Sequence, residues 1–162
     1  MPHIVQKLEK VVVNAGIGKL SNQPGFTDKL MPDLMRDFGL ITGQKPKTAP
    51  AKKSISGFKL REGTVVGLTA TLRGKRMADF LNRFVKVVLP RIRDFRGINL
   101  SSVDGQGNLS IGIRESVVFP EVNPEISKAS FGVQVTVVPR NIKSKEDAMA
   151  LYRAIGLPLK KA

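Results

Sequence analysis

Thr64-Val65-Val66-Gly67-Leu68-Thr69-Ala70-Thr71-Leu72-Arg73 alternates cleanly between apolar and polar positions. Val66, Leu68, Ala70 and Leu72 point one way, and Gly67, Thr69, Thr71 and Arg73 the other. A period of two is that of a strand with one buried side, and the open side here bears small hydroxyls and a guanidinium. Residues 76–89 then switch to a helical period, with Phe80, Leu81, Phe84, Val85 and Val88 inside and Arg76, Asp79, Arg83 and Lys86 outside. Pro90 is expected to end that helix, and Arg91-Ile92-Arg93-Asp94-Phe95-Arg96-Gly97 leaves it as a basic elbow.

Upstream, Lys10 to Asn14 (KVVVN) has the β-branched richness of a strand, and Gly16-Ile17-Gly18 ends it. Leu30, Leu34 and Phe38 recur every four residues, which predicts a helix over about residues 27–39 with Gly39 as its stop. Pro32 fits that helix only in its first turn, where a missing N–H leaves no bond unmade. Downstream, Asp104-Gly105-Gln106-Gly107-Asn108 is a turn signal. Leu109, Ile111 and Ile113 alternate after it, and Val133, Val135 and Val137 alternate later with Gln134 and Thr136 opposite. Ser144 with Asp147 has the form of a helix cap, and Ala148, Leu151, Tyr152 and Ile155 give the closing helix one apolar stripe.

The pattern predicts four or five strands and three helices in a single domain over residues 1–162. The fold class is α+β: a predominantly antiparallel sheet, helices packed on one face, the other face polar. Pro50 removes a strand hydrogen bond, so its segment is expected at a sheet edge or a bulge.

Charge narrows the function. The 24 residues from Phe38 to Arg61 hold six cations (Lys45, Lys47, Lys52, Lys53, Lys59, Arg61) and no acid. A second dense stretch carries Arg73, Lys75, Arg76, Arg83, Lys86, Arg91, Arg93 and Arg96 against Asp79 and Asp94. The formal net charge is +14, and most of it lies in the first hundred residues. Positive charge polarised in this way points to a polyanionic partner. Cysteine is absent, which excludes disulfides and thiolate metal sites. No apolar run approaches the roughly 20 residues of a membrane span, and the start has no export signal pattern. A cytoplasmic protein without membrane partners is expected. Tryptophan is absent and aromatics are 6%, which weighs against rows of stacking rings on single strands.

Catalytic constellations are hard to assemble. His3 is the only histidine, so neither a metal–histidine nor a serine–histidine site is expected, and no cofactor. Glu115, Glu121 and Glu125 read as solvated charges. Gly16-Ile17-Gly18-Lys19 lacks the spacing of a phosphate loop and the third glycine of a dinucleotide fingerprint, although its backbone N–H groups remain able to meet a phosphate. Asn14, Gln44, Thr48 and Ser54 lie among the cations and suit hydrogen bonds to ribose and base edges. Thr69 and Thr71 are short enough to let a shallow RNA minor groove approach, where 2′-hydroxyls are displayed. No helix gathers Arg, Asn and Gln on one face as a DNA major-groove reader does.

A specific succession of motifs adds to this. In order come Asn14-Ala15-Gly16-Ile17-Gly18, Ile41-Thr42-Gly43-Gln44-Lys45-Pro46, Ala51-Lys52-Lys53-Ser54, Phe58-Lys59-Leu60-Arg61-Glu62-Gly63 and Thr71-Leu72-Arg73-Gly74. Pro90 to Gly97, Asp104 to Asn108 and Phe119-Pro120-Glu121 follow. The succession resembles the bacterial-type large-subunit ribosomal protein L-five family over about residues 8–159. The resemblance implies a structural constituent of the large ribosomal subunit that binds 5S rRNA in the central protuberance. It implies as further partners large-subunit rRNA, P-site tRNA, a small-subunit head protein and other central-protuberance proteins.

Carried over by motif, the 5S rRNA contacts fall on Asn14, Gly16, Gly18, Gln44, Thr71 and Arg73; Lys45 and Thr69 join them from the charge and strand reading. The tRNA-facing loop corresponds to Ala51 to Gly63, with Lys52, Lys53, Ser54, Lys59 and Arg61, and Arg91, Arg93 and Arg96 supply further basic contacts. Ala49-Pro50 departs from the family's usual threonine and basic residue, which leaves Thr48 unassigned. Two other readings share the basic sheet: an RNA-modifying enzyme, and a non-specific nucleic-acid binder that compacts DNA.

Overall fold

The computed structural model describes residues 7–142 and 144–160; His3 lies outside the described residues. In chain order the elements are strand β1 (Leu8–Gly16), a single helical turn α1 (Gly18–Ser21), helix α2 (Met31–Thr42), β2 (Lys47–Pro50) and β3 (Val65–Leu72). Helix α3 (Gly74–Arg83), β4 (Leu109–Ile113), β5 (Gly132–Pro139) and helix α4 (Lys145–Ile155) complete the chain. The strands form one five-stranded antiparallel sheet in the order β2-β3-β1-β5-β4, the α+β class that the alternation predicts.

The chain divides into two compact units. One is built from the described residues of Met1–Val12, Thr71–Ile113 and Gln134–Ala162, the other from Val13–Ala70 and Arg114–Val133. In the second unit α2 buries Leu34, Phe38 and Ile41, and the Phe38 ring meets that of Phe131 at 6.5 Å. The segment after β4 is tied to the same helix. Asp37, almost fully buried, accepts from Arg36 Nη2 at 3.0 Å and from Ser127 Oγ at 2.6 Å, while Lys128 Nζ reaches Asp33 at 3.0 Å. In the first unit α3 buries Met77, Phe80 and Leu81, and the Phe80 and Phe84 rings stack at 5.8 Å. Helix α4 buries Ala148, Leu151, Tyr152 and Ile155, the stripe the spacing marks, and Ser144 Oγ caps it by accepting from the Asp147 N–H at 3.1 Å.

Two helix ends differ from expectation. Gly39 does not stop α2; the helix runs to Thr42, and Gly43 caps it in the left-handed conformation at φ +70°. A glycine with ordinary helical angles weakens a helix without ending it, whereas the residue that turns left-handed does end it. The start also differs, because a wider turn, Phe26–Leu30, leads into Met31 and places Pro32 in the first α-turn. Pro90 does not end the α3 segment either. The helix continues through a wide stretch, Phe84–Val88, and a last turn, Leu89–Arg91, before Ile92 becomes extended. Where the ladder changes spacing, the missing proline N–H leaves no regular bond unmade. Pro50 behaves as its chemistry requires: β2 is an edge strand, and its register with β3 slips between Ala49 and Pro50.

Candidate nucleic-acid interface

The alternation of β3 is realised in three dimensions. Leu68, Ala70 and Leu72 are buried, Thr69 is half-buried, and Thr71 and Arg73 are exposed. In the unit that holds Thr69, the register with β2 sets Lys47 opposite Thr69 and Thr48 opposite the buried Leu68. Directly paired residues share a face, so Lys47 stands on the open side and Thr48 on the covered one. Sequence alone singles out Thr48 and gives Lys47 no more than its charge. Gly67 sits mid-strand because a Cβ there would come within 3.3 Å of the Ala15 carbonyl oxygen and 3.6 Å of Ala49 Cβ.

In the same unit Asn14 is half-buried and Gly16 exposed at the end of β1. The backbone N–H of Ile17 donates to the Val66 carbonyl at 2.9 Å, so the sheet has already taken that donor. Gly18 opens α1, half-buried, where a Cβ would lie 3.7 Å from Val66 Cβ. Gln44 is half-buried, and its carbonyl accepts from Thr42 Oγ at 3.0 Å, which fixes the turn after α2. Lys45 follows fully exposed.

The loop from Ala51 to Gly63 also belongs to this unit and is a small ordered structure. The Ala51 N–H donates to the Thr64 carbonyl at 2.8 Å, and Gly63 donates back to Ala51 at 2.9 Å. Further out, Ile55 and Leu60 exchange both backbone hydrogen bonds, at 2.9 and 3.1 Å, around a short turn, Ser56–Phe58. Ser54 Oγ accepts from the Glu62 N–H at 2.9 Å, so the hydroxyl braces the loop. Lys52, Lys53, Lys59 and Arg61 are all exposed.

In the other unit, Thr71 and Arg73 continue the open side of β3. Arg73 Nη1 lies 3.5 Å from Glu9 Oε1 and 3.4 Å from the Glu9 carbonyl oxygen. Gln134 is exposed on β5, and Thr136 on the same strand meets Ser110 of β4 hydroxyl to hydroxyl at 3.2 Å. The basic elbow presents Arg91, Arg93 and Arg96 to solvent. Its exit is clamped by the C-terminal segment: Ile98 donates to the Pro158 carbonyl at 2.8 Å and accepts from the Lys160 N–H at 2.9 Å. The turn before β4 is held by Asp104, whose carboxylate accepts from the Gln106 and Asn108 N–H groups and from Asn108 Nδ2 at 2.8–2.9 Å. Those bonds, the Asn108 side chain foremost, hold the Asp104 carboxyl below its usual range. Tyr152 anchors the same turn with its hydroxyl 2.6 Å from the Gly107 carbonyl, and burial pushes that hydroxyl's pKa up.

Several contributors were not legible from the sequence. Lys47 needed the β2–β3 register, and Glu9 pairs with a residue 64 positions away. Phe58 and Ile55 are large apolar side chains of the kind that usually fill a core, yet they stand 73% and 45% exposed at the loop tip. Among the described residues no group of three or more His, Asp or Glu could hold a metal ion, and no helix is long and apolar enough to cross a membrane.

Each unit has open strand positions with hydroxyl or amide groups and a basic loop of its own, the chemistry of the class of protein that binds polyanions. Comparison with known proteins makes the class specific. The family model described as "Ribosomal protein L5" matches residues 2–61, and a second model, for the C-terminus of the same ribosomal family, matches residues 65–159. The large ribosomal subunit protein uL5 of Fusobacterium nucleatum is 47% identical over 155 residues, covering 96% of this chain and 82% of the relative. The protein of the same name in Halothermothrix orenii is 46% identical over 154 residues, covering 95% and 83%. That of Leptospira biflexa is 44% identical over 158 residues, covering 98% and 84%. The chain belongs to the ribosomal protein L5 family. It is therefore an rRNA-binding structural constituent of the large ribosomal subunit, acting in translation in the cytoplasm, and not an enzyme.

Proposed function

We propose that this chain fastens 5S rRNA into the central protuberance of the large subunit. The contacts come from each unit in turn: Asn14, Gly16, Gly18, Gln44, Lys45 and Thr69 from one, Thr71 and Arg73 from the other. Arg91, Arg93 and Arg96 neutralise phosphates of the large-subunit rRNA beside it. Phosphate contacts fix position, while Asn14, Gln44 and the two threonines read sugar and base edges. The loop from Ala51 to Gly63 faces P-site tRNA through Lys52, Lys53, Lys59 and Arg61, with Ser54 shaping its backbone. Contacts to a small-subunit head protein and to other proteins of the central protuberance complete the assembly.

The observation that carries the proposal is that β3 buries Leu68, Ala70 and Leu72 while leaving Thr71 and Arg73 to solvent. A guanidinium and a hydroxyl at successive open positions offer a phosphate contact beside a sugar or base contact. The test is recovery of the tagged protein from lysate at low salt and sequencing of the RNA that accompanies it. The expected result is enrichment of 5S rRNA over other RNAs of similar length; an RNA profile matching the lysate contradicts the proposal.

A further inference from the structure

The hairpin from Ala51 to Gly63 carries one feature that the cation reading does not use. Phe58 is the most exposed large hydrophobic residue among those described, at 73%, and Ile55 stands 45% exposed on the same turn. Their exposure does not come from a slack loop. Phe58 donates its N–H to the Ile55 carbonyl at 3.3 Å, Lys59 donates to Ser56 at 3.0 Å, and Asn22 Nδ2 reaches across to the Phe58 carbonyl at 3.3 Å. Lys59 holds a left-handed conformation at φ +51°, uncommon for a side chain of its length, and so turns the backbone sharply after Phe58. The hydrogen bonds thus fix the backbone of the turn that carries the ring, and the fold buries little of Phe58.

An exposed apolar tip rimmed by polar groups marks an interaction site. The rim decides the partner. Between Ala51 and Gly63 stand Lys52, Lys53, Lys59 and Arg61 against the single acid Glu62. Such a rim favours a polyanion, and the polyanion with a flat apolar face to offer is RNA at an unstacked base. We infer that Phe58 is a base-stacking tip: it packs its ring on an unpaired or terminal nucleobase of a folded RNA, while the four cations hold the flanking phosphates. This inference rests on the reading that the loop meets RNA, and it adds the contact that would distinguish a looped RNA from a plain duplex.

The full-length protein is titrated with two probes, an RNA hairpin whose unpaired loop carries one 2-aminopurine and a blunt RNA duplex of equal length. The unaltered protein is expected to prefer the hairpin and to change the 2-aminopurine fluorescence on binding. Phe58→Ala and Phe58→Leu are each expected to weaken hairpin binding about tenfold through loss of the stacked base, with the duplex unaffected. Phe58→Trp is expected to restore it. At 73% exposure these substitutions leave the fold intact, and unchanged binding of 5S rRNA verifies that. If Phe58→Ala binds the hairpin as tightly as the unaltered protein, the stacking inference is overturned and the loop's RNA contact stands. If the unaltered protein shows no preference for the hairpin over the duplex, the stacking inference is likewise overturned; if it binds neither probe, the reading that the loop meets RNA falls and the inference falls with it.

Discussion

Arg73, the guanidinium at the end of β3, rests against Glu9 of β1, 3.5 Å from its carboxylate and 3.4 Å from its carbonyl oxygen. Both side chains are about half exposed, so the pair is a weak surface bridge that contributes at most about 1 kcal/mol to stability. A phosphate offers Arg73 a stronger, bidentate partner. On the proposal that Arg73 meets a phosphate, Glu9 competes with RNA for the guanidinium. Arg73→Ala is expected to weaken 5S rRNA binding by roughly 1.5–3 kcal/mol. Glu9→Gln is expected to tighten binding to all RNAs and to narrow the gap between 5S rRNA and unrelated RNA. Filter-binding titrations at one fixed salt concentration decide both; weaker binding by Glu9→Gln contradicts the competition.

Lys47 and Thr48 are neighbours in sequence but opposites in the sheet, paired with Thr69 and Leu68 respectively. Lys47→Ala is expected to weaken RNA binding and to reduce the slope of log affinity against log salt by about one. Thr48→Val is expected to leave both unchanged. The reverse ranking, read from a salt titration of the two variants, would mean that the register does not set the contact.

Gly97 ends the basic elbow at φ +98°, and a Cβ there would lie 3.0 Å from the Pro158 carbonyl oxygen and 3.3 Å from Lys160 Cγ. Only glycine suits both the angle and the approach. Gly97→Ala is expected to destabilise the protein by about 1–3 kcal/mol. It should also raise hydrogen exchange at the amides of Ile98 and Lys160. Urea unfolding with exchange mass spectrometry checks it; full protection at those two amides would show that the clamp does not depend on this glycine.

These positions mark how far the sequence could be read. The period-two alternation of residues 64–73 and the apolar stripe of α4 were enough to place the strand and its helix, because burial imposes those periods directly. Helix ends were less legible. Gly39 and Pro90 are ordinary stop signals, yet Gly43 and the wide turn at Phe84–Val88 moved the real ends downstream. Of the candidate interface, Thr71 and Arg73 could be placed on an open side from one strand alone. Lys47 and Glu9 could not, since their neighbours come from other strands. Phe58 is hidden for another reason, because an apolar side chain shows its exposure only once its surroundings are known.

Asp104 gives the fold an acid-sensitive point. Hydrogen bonds, first that of the Asn108 side chain and then those of backbone N–H groups, keep its carboxyl pKa lower in the folded chain than in the unfolded one. A depressed folded value means stability that is fully present above the unfolded pKa, and it is lost as the pH falls through the folded value, below about pH 4. Asn108→Ala removes the largest of these bonds. Its stability deficit is expected at neutral pH and should shrink as the pH drops into that window, as read from urea midpoints. A deficit independent of pH would place the role of Asn108 elsewhere than in this bond.

The central claim is that this chain recognises a particular folded RNA and does not merely attract phosphates. The most direct measurement is competition between 5S rRNA and an unrelated folded RNA of equal length, carried from about 50 to about 200 mM salt. If about six phosphates are neutralised, both affinities should fall by about three orders of magnitude across that range. The ratio in favour of 5S rRNA should persist throughout, because sugar and base contacts release no counterions. Equal binding of the two RNAs at every salt concentration would contradict the account.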